Sequence, residues 1–521
     1  MEQRFIPSLL KPEAYPEATV AVQLLQTHVS YLFLTDAHVY KIKKPVDFAF
    51  LNFTTLDRRR FYCNEEVRLN RRLCPDLYLG VVDVRQEGDG LSFTGEGTIV
   101  DYAVKMRRLP ADRMLDRLLA EGRVGEEELR QVARTIAAFH LAAERGPEIA
   151  PYGSLDTILA NWQENFQQMA PYLDRTLPRA DLELIRPWCE RFARDHGDLF
   201  AARQAGGFIR DCDGDIHAEN ICLEDDRVAI FDCIEFNPRF RYSDTAADLA
   251  FLLMDLEYHD QPRLAAVVQE EYRRATGDDG ADLLLPFYKI YRAFVRGKVE
   301  SFRLSDPQIP AEEQEAARQR ALRYFRLARG YVLRERLPLT LFITCGAMGS
   351  GKSAVAGALA RELGLPLLRS DLVRKERAAI PPEVHQDEGF NEGLYTAEQT
   401  AATYAALQEL AEQHLAGGRS VIVDASFRSR TERDACRALV GRYGARLRIL
   451  ATVCPEEVVR QRLTARRQQP GEVSDGRWEI FPQHLANFEP LAADEAGVIP
   501  LDTIRPVSEL IDRVLRETEL H

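Results

Sequence analysis

The chain has 521 residues, 45% hydrophobic and 29% charged, which suits a soluble globular protein of two to four domains. A net charge of −13 excludes a surface coated in nucleic acid, while leaving a local basic groove open. No apolar run reaches the ~18 residues of a bilayer span, and "MEQRFIPSLLKPEAYPEA" lacks the basic-then-apolar pattern of a secretory leader, so a cytoplasmic protein is expected.

Nine scattered cysteines form no CxxC pair and no metal-ligand spacing. They read as reduced thiols, with Cys212, Cys222, Cys233 and Cys345 as buried packing residues. No internal repeat is present, which excludes solenoids and propellers. From about residue 18 to 110 the pattern is strand-like: "TVAVQLLQT", "YLFLTDAHVYKIK", "LYLGVVDV" and "TIVDYAVKMRRL". One helical pattern interrupts it, "LDRRRFYCNEEVRLNRRL". From about 111 to 335 the pattern is mainly helical, broken by two short apolar segments around Ile216–Leu223 and Val228–Phe231. The Arg-rich helix "EEQEAARQRALRYFRLARGYVLRERLPL" follows, with apolar residues recurring along one face as in a solvated interdomain helix. After Pro338 strands and helices alternate, which predicts a parallel sheet flanked by helices. The expected organisation is therefore a β-rich lobe plus helical lobe over 1–335, then an α/β domain over 338–521.

In the first domain, "RDCDGDIHAENICLEDDRVAIFDCIEF" places Asn220 five residues after Asp215 and Asp232 twelve further on. An Asp-x₄-Asn loop and then an Asp after a short strand is the layout of a protein-kinase-like catalytic core. In that chemistry the first Asp orients or deprotonates the acceptor hydroxyl, and the Asn and second Asp hold Mg²⁺ on ATP. Lys41 ends a strand where the α- and β-phosphates are expected, Glu66 on the following helix is its ion-pair partner, and backbone groups at Lys105–Arg107, around Met106, are expected to meet adenine. Roughly residues 20–330 resemble the aminoglycoside phosphotransferase family, with "GDIHAEN" standing where the family reads HGDLHxxN and "IFDCIEF" as its metal-binding strand. The resemblance implies a structural role for Asp248 in "DTAADLAFLLMDL". Two departures stand out. Asp213 replaces the family's His, which adds negative charge beside the metal site, and "THVS" (Thr27–Ser30) must serve as phosphate loop. His217 is expected to pack and hydrogen-bond within its own loop.

In the second domain, Gly346-Ala-Met-Gly-Ser-Gly-Lys-Ser353 fits GxxxxGK[ST] between a strand and a helix. Its backbone N–H groups, with Gly346, Gly349, Ser350 and Gly351, would cradle phosphates at a helix N-terminus, Lys352 would reach the β- and γ-phosphates, and Ser353 would ligate Mg²⁺. Asp424 ends "SVIVD", placed to hold Mg²⁺ through water. The second strand of the domain, before that one, ends in "RSDLVRKER", where Asp371 either caps a helix or takes a proton from a substrate hydroxyl, with Arg374 one turn on to hold a substrate anion. Arg460, Arg462, Arg466 and Arg467 share about two helical turns, and one or two of them would close over the phosphates. This region resembles the polynucleotide-kinase and zeta-toxin branch of P-loop kinases, which implies Asp371 as base, Arg374 on the neighbouring phosphate and Arg466 as lid arginine. The whole chain is similar to bacterial fusions of these two kinase types. The expected activity is ATP- and Mg²⁺-dependent phosphoryl transfer to a hydroxyl: a polynucleotide 5′ end, a nucleotide or a sugar-nucleotide. A regulatory, inactive first domain and an ATP-gated switch for an RNA or protein partner are the alternatives.

Overall fold

Between Gln23 and Arg107 the apolar alternation folds as an antiparallel sheet of six strands: β1 (Gln23–Gln26), β2 (Ser30–Leu34), β3 (His38–Lys43), β4 (Tyr78–Glu87), β5 (Gly90–Ser92) and β6 (Thr98–Arg107). Their order is β1-β2-β3-β6-β4-β5. The computed structural model describes residues 5–48, 51–224, 227–306, 309–381, 393–466 and 477–520. The chain divides into two compact units, Met1–Ala328 and Arg329–His521.

In the first unit, helix α1 (Leu56–Asn70) starts at Thr55, whose hydroxyl accepts the N–H of Arg58. Its buried positions include Arg59, Cys63, Glu66, Val67 and Asn70. That spacing lines one helix face, so a polar Glu66 is carried into the interior against the sheet. The helical part holds α2 (Glu126–Ala142), α3 (Thr245–Tyr258) and α4 (Leu285–Phe302). Helix α3 is buried all round except at Glu257, which makes it the core that the others pack on. Trp162, Phe166 and Phe294 meet edge-on or stacked beside it. The catalytic-type loop leads into a hairpin of β7 (Ile221–Glu224) and β8 (Arg227–Ile230). Arg107, at the end of β6, forks onto Glu224 at 2.7 and 2.8 Å and so fastens the sheet to that hairpin.

In the second unit, β9 (Thr340–Cys345), β10 (Leu367–Arg369), β11 (Val421–Asp424), β12 (Arg446–Val453) and β13 (Val498–Asp502) form one parallel sheet, ordered β10-β11-β9-β12-β13. Helices α5 (Lys352–Leu363), α6 (Ser370–Arg377), α7 (Ala397–Ala416), α8 (Glu456–Arg466) and α9 (Val507–Glu517) complete it. Because strands leave β9 in both directions, the switch point of the topology lies at the carboxyl end of β9, where open α/β sheets bind ligands. Leu341, Ile343, Val421, Val423 and Ile449 form the sheet's share of the core. Eight of the nine cysteines are buried and only Cys454, just after β12, is partly exposed. No described helix is long and apolar enough to cross a membrane.

Arg433 shows how this unit is locked. It is 0% exposed, forks onto Glu495 at 2.8 and 2.9 Å, and donates to the carbonyl of Phe427. Arg433→Ala breaks this buried pair and leaves Arg437, at 2.9 Å, as the only cation on Glu495 among the described residues, so it should lower the unit's stability by about 3 kcal/mol. Urea unfolding followed by circular dichroism reads this directly, and a loss under ~1 kcal/mol would show that Arg437 and water already neutralise the carboxylate.

Candidate active sites

In the first unit, β3 and α1 place the cation and β7–β8 the anions. Lys41 lies in mid-sheet, paired in register with Leu32 on one side and Val104 on the other. Its Nζ reaches Glu66 Oε1 at 2.9 Å and Asp232 Oδ1 at 2.6 Å. Asp232 has a left-handed backbone, φ 66°, unusual outside glycine, with its N–H donated to the Tyr78 hydroxyl at 3.2 Å. The N–H of Cys233 goes to Asn70 on α1 at 2.9 Å, so the Asp232 turn is moored to both α1 and the sheet. Asn220 donates to Asp215, at 3.1 Å to its carbonyl and 3.2 Å to its carboxylate. Burial alone would push the Asp215 carboxyl up, but His217, then Arg296 and Arg292, outweigh it and hold it below the usual carboxylate range. His217 packs against Phe251, with its Nε2 3.6 Å from Asp215.

The loop that carries Asp215 hangs on Asp248. That carboxylate is 0% exposed and accepts the N–H groups of Asp213 at 3.0 Å and Gly214 at 2.9 Å, with His140 at 3.2 Å behind it. Asp213 itself is buried. One carboxylate oxygen accepts the Asp215 N–H at 3.1 Å and the other has no partner among the described residues. Burial, and then the neighbouring Asp248 charge, push its carboxyl well above the usual range, which favours its protonated form.

Two expectations shift. Met106 does line the interior with Val39, Val104, Met114 and Cys222, but the ladder claims the backbone of Lys105–Arg107: Tyr40 and Gly80 pair with Lys105, and the Arg107 N–H goes to Leu77. The chain first leaves the sheet after Arg108, whose N–H goes to Ala37. The backbone free to meet a base edge therefore begins at Leu109. "THVS" is a hairpin turn closed on itself, because the Thr27 hydroxyl already accepts the N–H groups of Val29 and Ser30 at 3.3 and 3.0 Å.

In the second unit the Gly346–Ser353 loop has a left-handed backbone at Gly349 (φ 74°) and Gly351 (φ 90°). A Cβ at Gly346 would lie 2.4 Å from the Thr452 hydroxyl, and at Gly349 2.9 Å from Val459. The loop is held from behind. Ser350 and Thr452 share a hydroxyl hydrogen bond of 2.7 Å, and Thr503 donates to the Ser350 carbonyl at 2.7 Å. The Ser350 side chain and carbonyl are therefore spent on the scaffold, and its N–H turns back to the Ala347 carbonyl at 3.3 Å. Lys352 opens α5 and folds over the loop to the Ala347 carbonyl at 2.8 Å, while Ser353 follows it in the first turn. Asp424 accepts from Thr344 at 3.1 Å, and Arg369 sits beside it in register with its Nε 3.9 Å away.

Asp371 lies in the first turn of α6, two residues past Arg369. The residue in the capping position is Arg369, so Asp371 is not the helix cap. Arg374 is buried to 8% exposure, donates to Leu394 at 2.9 Å and lies over the Tyr395 ring at 4.7 Å. Its Nη1 is engaged within the fold, while its buried Nε has no hydrogen-bond partner among the described residues. Arg462 is likewise not a lid: it donates to the Thr503 hydroxyl and carbonyl at 2.9 and 2.6 Å. Arg460 lies over Trp478. Arg466 ends α8, and its side chain, like all of Arg467, lies outside the described residues.

The sequence reading missed Lys43 and Glu235 in the first unit and Thr344, Thr452, Thr503 and His484 in the second. Lys43 was findable, since position i+2 on a strand shares a face with Lys41. His484 was not: it follows the phosphate loop by more than a hundred residues. Burial, then the charges of Lys352 and Arg428, push its imidazole down to about 4, so it is neutral at pH 7.

Both sites fit Mg·ATP by donor chemistry. Asp232 and Asn220 in one and Ser353 and Asp424 in the other offer oxygen ligands, which suit Mg²⁺, and the glycine-lined nest of the second suits phosphate.

A family model described as an AAA domain (AAA_33) matches residues 341–491. Over 464 residues the chain is 29% identical to Uncharacterized protein Rv2004c of Mycobacterium tuberculosis (strain ATCC 25618 / H37Rv), covering 88% of each chain. Among solved structures, a choline/ethanolamine kinase family protein from Mesorhizobium loti covers 63% of this chain and 99% of its own at 15% identity and TM-score 0.37. A sugar kinase from Janibacter sp. HTCC2649 covers 35% of this chain and 96% of its own at 25% identity and TM-score 0.27. Most of the parallel sheet and all of the glycine nest of the second unit lie within the stretch that the AAA-domain model matches, and together they give it a P-loop nucleotide-binding fold.

Proposed function

We propose that the protein is an ATP-dependent phosphotransferase with two nucleotide sites. The observation that carries this is the convergence, at the carboxyl edge of one parallel sheet, of the glycine nest, Asp424 and Asp371. The nest binds phosphate oxygens through its N–H groups and orients the terminal phosphoryl. Lys352 leaves the Ala347 carbonyl to meet the developing charge, and Asp371 takes the acceptor's hydroxyl proton. Bound Mg²⁺, held by Ser353 and Asp424, would neutralise charge on the transferred group. In the first unit Asp215 is the base, Asn220 and Asp232 the metal ligands, and Lys41 the phosphate cation.

The acceptor of the P-loop site is a hydroxyl on a polynucleotide end, a nucleotide or sugar-nucleotide, or another small molecule. Occupation of Arg374 by Leu394 and Tyr395 favours the small acceptors, because a polynucleotide end would need that arginine for its neighbouring phosphate. The second reading, in which the first unit only senses ATP, draws on the pairing of Lys41 with Asp232, which occupies both the phosphate cation and a metal ligand.

Transfer of labelled γ-phosphate to oligonucleotides, nucleosides, sugar-nucleotides and small polyols tests the assignment. Lys352→Ala should cut transfer by the second unit ~10²-fold or more and leave nucleotide binding by the first unit intact. Release of free phosphate with no labelled acceptor would instead support an ATP-driven switch.

Asp213 gives a pH test of the first unit. Its folded carboxyl holds a proton that the unfolded chain gives up near pH 4. Stability therefore falls as pH rises above that point towards the raised folded value. Asp213→Asn removes the effect, so its melting temperature should exceed wild type by a margin that widens from pH 4 to 8. A constant margin would mean that Asp213 is ionised in the fold.

A further inference from the structure

Strand β3 carries a second lysine for which the nucleotide chemistry has no use. Lys43 lies two residues beyond Lys41, so the pleat turns both ammonium groups to the same face. Their surroundings differ. The Lys41 side chain is 12% exposed and its partner Asp232 45%, whereas Lys43 is 1% exposed and its partner Glu235 8%. Glu66, 0% exposed, is shared between them, with Oε1 on Lys41 at 2.9 Å and Oε2 on Lys43 at 2.6 Å. Glu235, three residues after Asp232 in the same turn, takes the remaining reach of Lys43. The result is a continuous chain of five charges, Asp232–Lys41–Glu66–Lys43–Glu235, that begins at the cleft and ends in the interior.

The two halves of this chain do different work. A nucleotide phosphate can replace Asp232 on Lys41, because that end is open. Nothing from solvent can replace Glu235 on Lys43, and breaking a buried pair leaves an uncompensated charge. We propose that Lys43 and Glu235 are positioning residues, a permanent strut that ties the metal-binding turn to β3 and α1 and fixes Asp232 for its cation. This rests on the reading of the first unit as a Mg·ATP site. Since Lys43 keeps one oxygen of Glu66 neutralised throughout, α1 holds its place whether or not Lys41 carries phosphate. The site then needs no activating partner to bring helix and lysine together.

The test uses the full chain with Lys352→Ala to silence the P-loop site. Nucleotide binding is titrated by calorimetry with the non-hydrolysable analogue AMPPNP, across a Mg²⁺ series and in its absence. Glu235→Gln should raise the Mg²⁺ concentration at half-saturation roughly tenfold, as loss of a second partner behind a metal ligand does, with metal-free nucleotide affinity unchanged. Should that variant fold poorly, Glu235→Asp takes its place: it keeps the charge that Lys43 faces but shortens the reach of the strut, and the same rise is expected. An unchanged Mg²⁺ requirement in either folded variant overturns the strut. Lys41→Ala and Asp232→Ala are the controls. If they weaken binding while the strut variants do not, only the strut falls. If neither affects binding, the first unit is no nucleotide site and both readings fall together.

Discussion

One buried carboxylate organises the first unit. Asp248 accepts two successive N–H groups of the loop that ends in Asp215, and it does so from α3, the most deeply buried helix of the unit. The geometry of Asp215 and Asn220 is therefore inherited from the core rather than from their own loop. Arg292 adds a second tie, donating to the carbonyls of Gly214 and Ala247 at 2.9 and 3.1 Å. A polar group this deep is tolerable only because both of its oxygens accept hydrogen bonds.

The second unit solves the same problem with hydroxyls. Thr452 and Thr503 follow or end the two strands on one side of β9, and both reach Ser350; Thr344, within β9, reaches Asp424 and the Ala425 backbone on the other side. Neutral hydrogen bonds hold the loop in shape without placing a competing anion near phosphate. Of the cations, Lys352 rests on the Ala347 carbonyl of the loop and Arg462 stiffens the support.

Much of this was legible in the sequence. GxxxxGKS announces its own backbone, because glycines at fixed spacing are demanded by φ angles that other residues resist. Strand alternation and helical periodicity gave the sheets and most helices, and the order and spacing of Asp215, Asn220 and Asp232 suggested the kinase-like reading of the first unit. The misses share a physical cause: they depend on contacts across long sequence separations. Nothing local tells that Arg374 is consumed by Leu394, or that Glu235 meets a lysine 192 residues earlier. The upward push on the Asp213 carboxyl likewise comes from burial and from Asp248, neither of which a sequence window displays.

The distribution of thiols has a practical side. Eight cysteines are buried, and Cys454 alone is partly exposed, packed near Ala347 and Met348 of the phosphate loop. The native protein thus offers a thiol-directed dye essentially one point of attachment, and that point stands beside the nest. A fluorophore placed there would sit against the phosphate loop of the second unit and report on it directly.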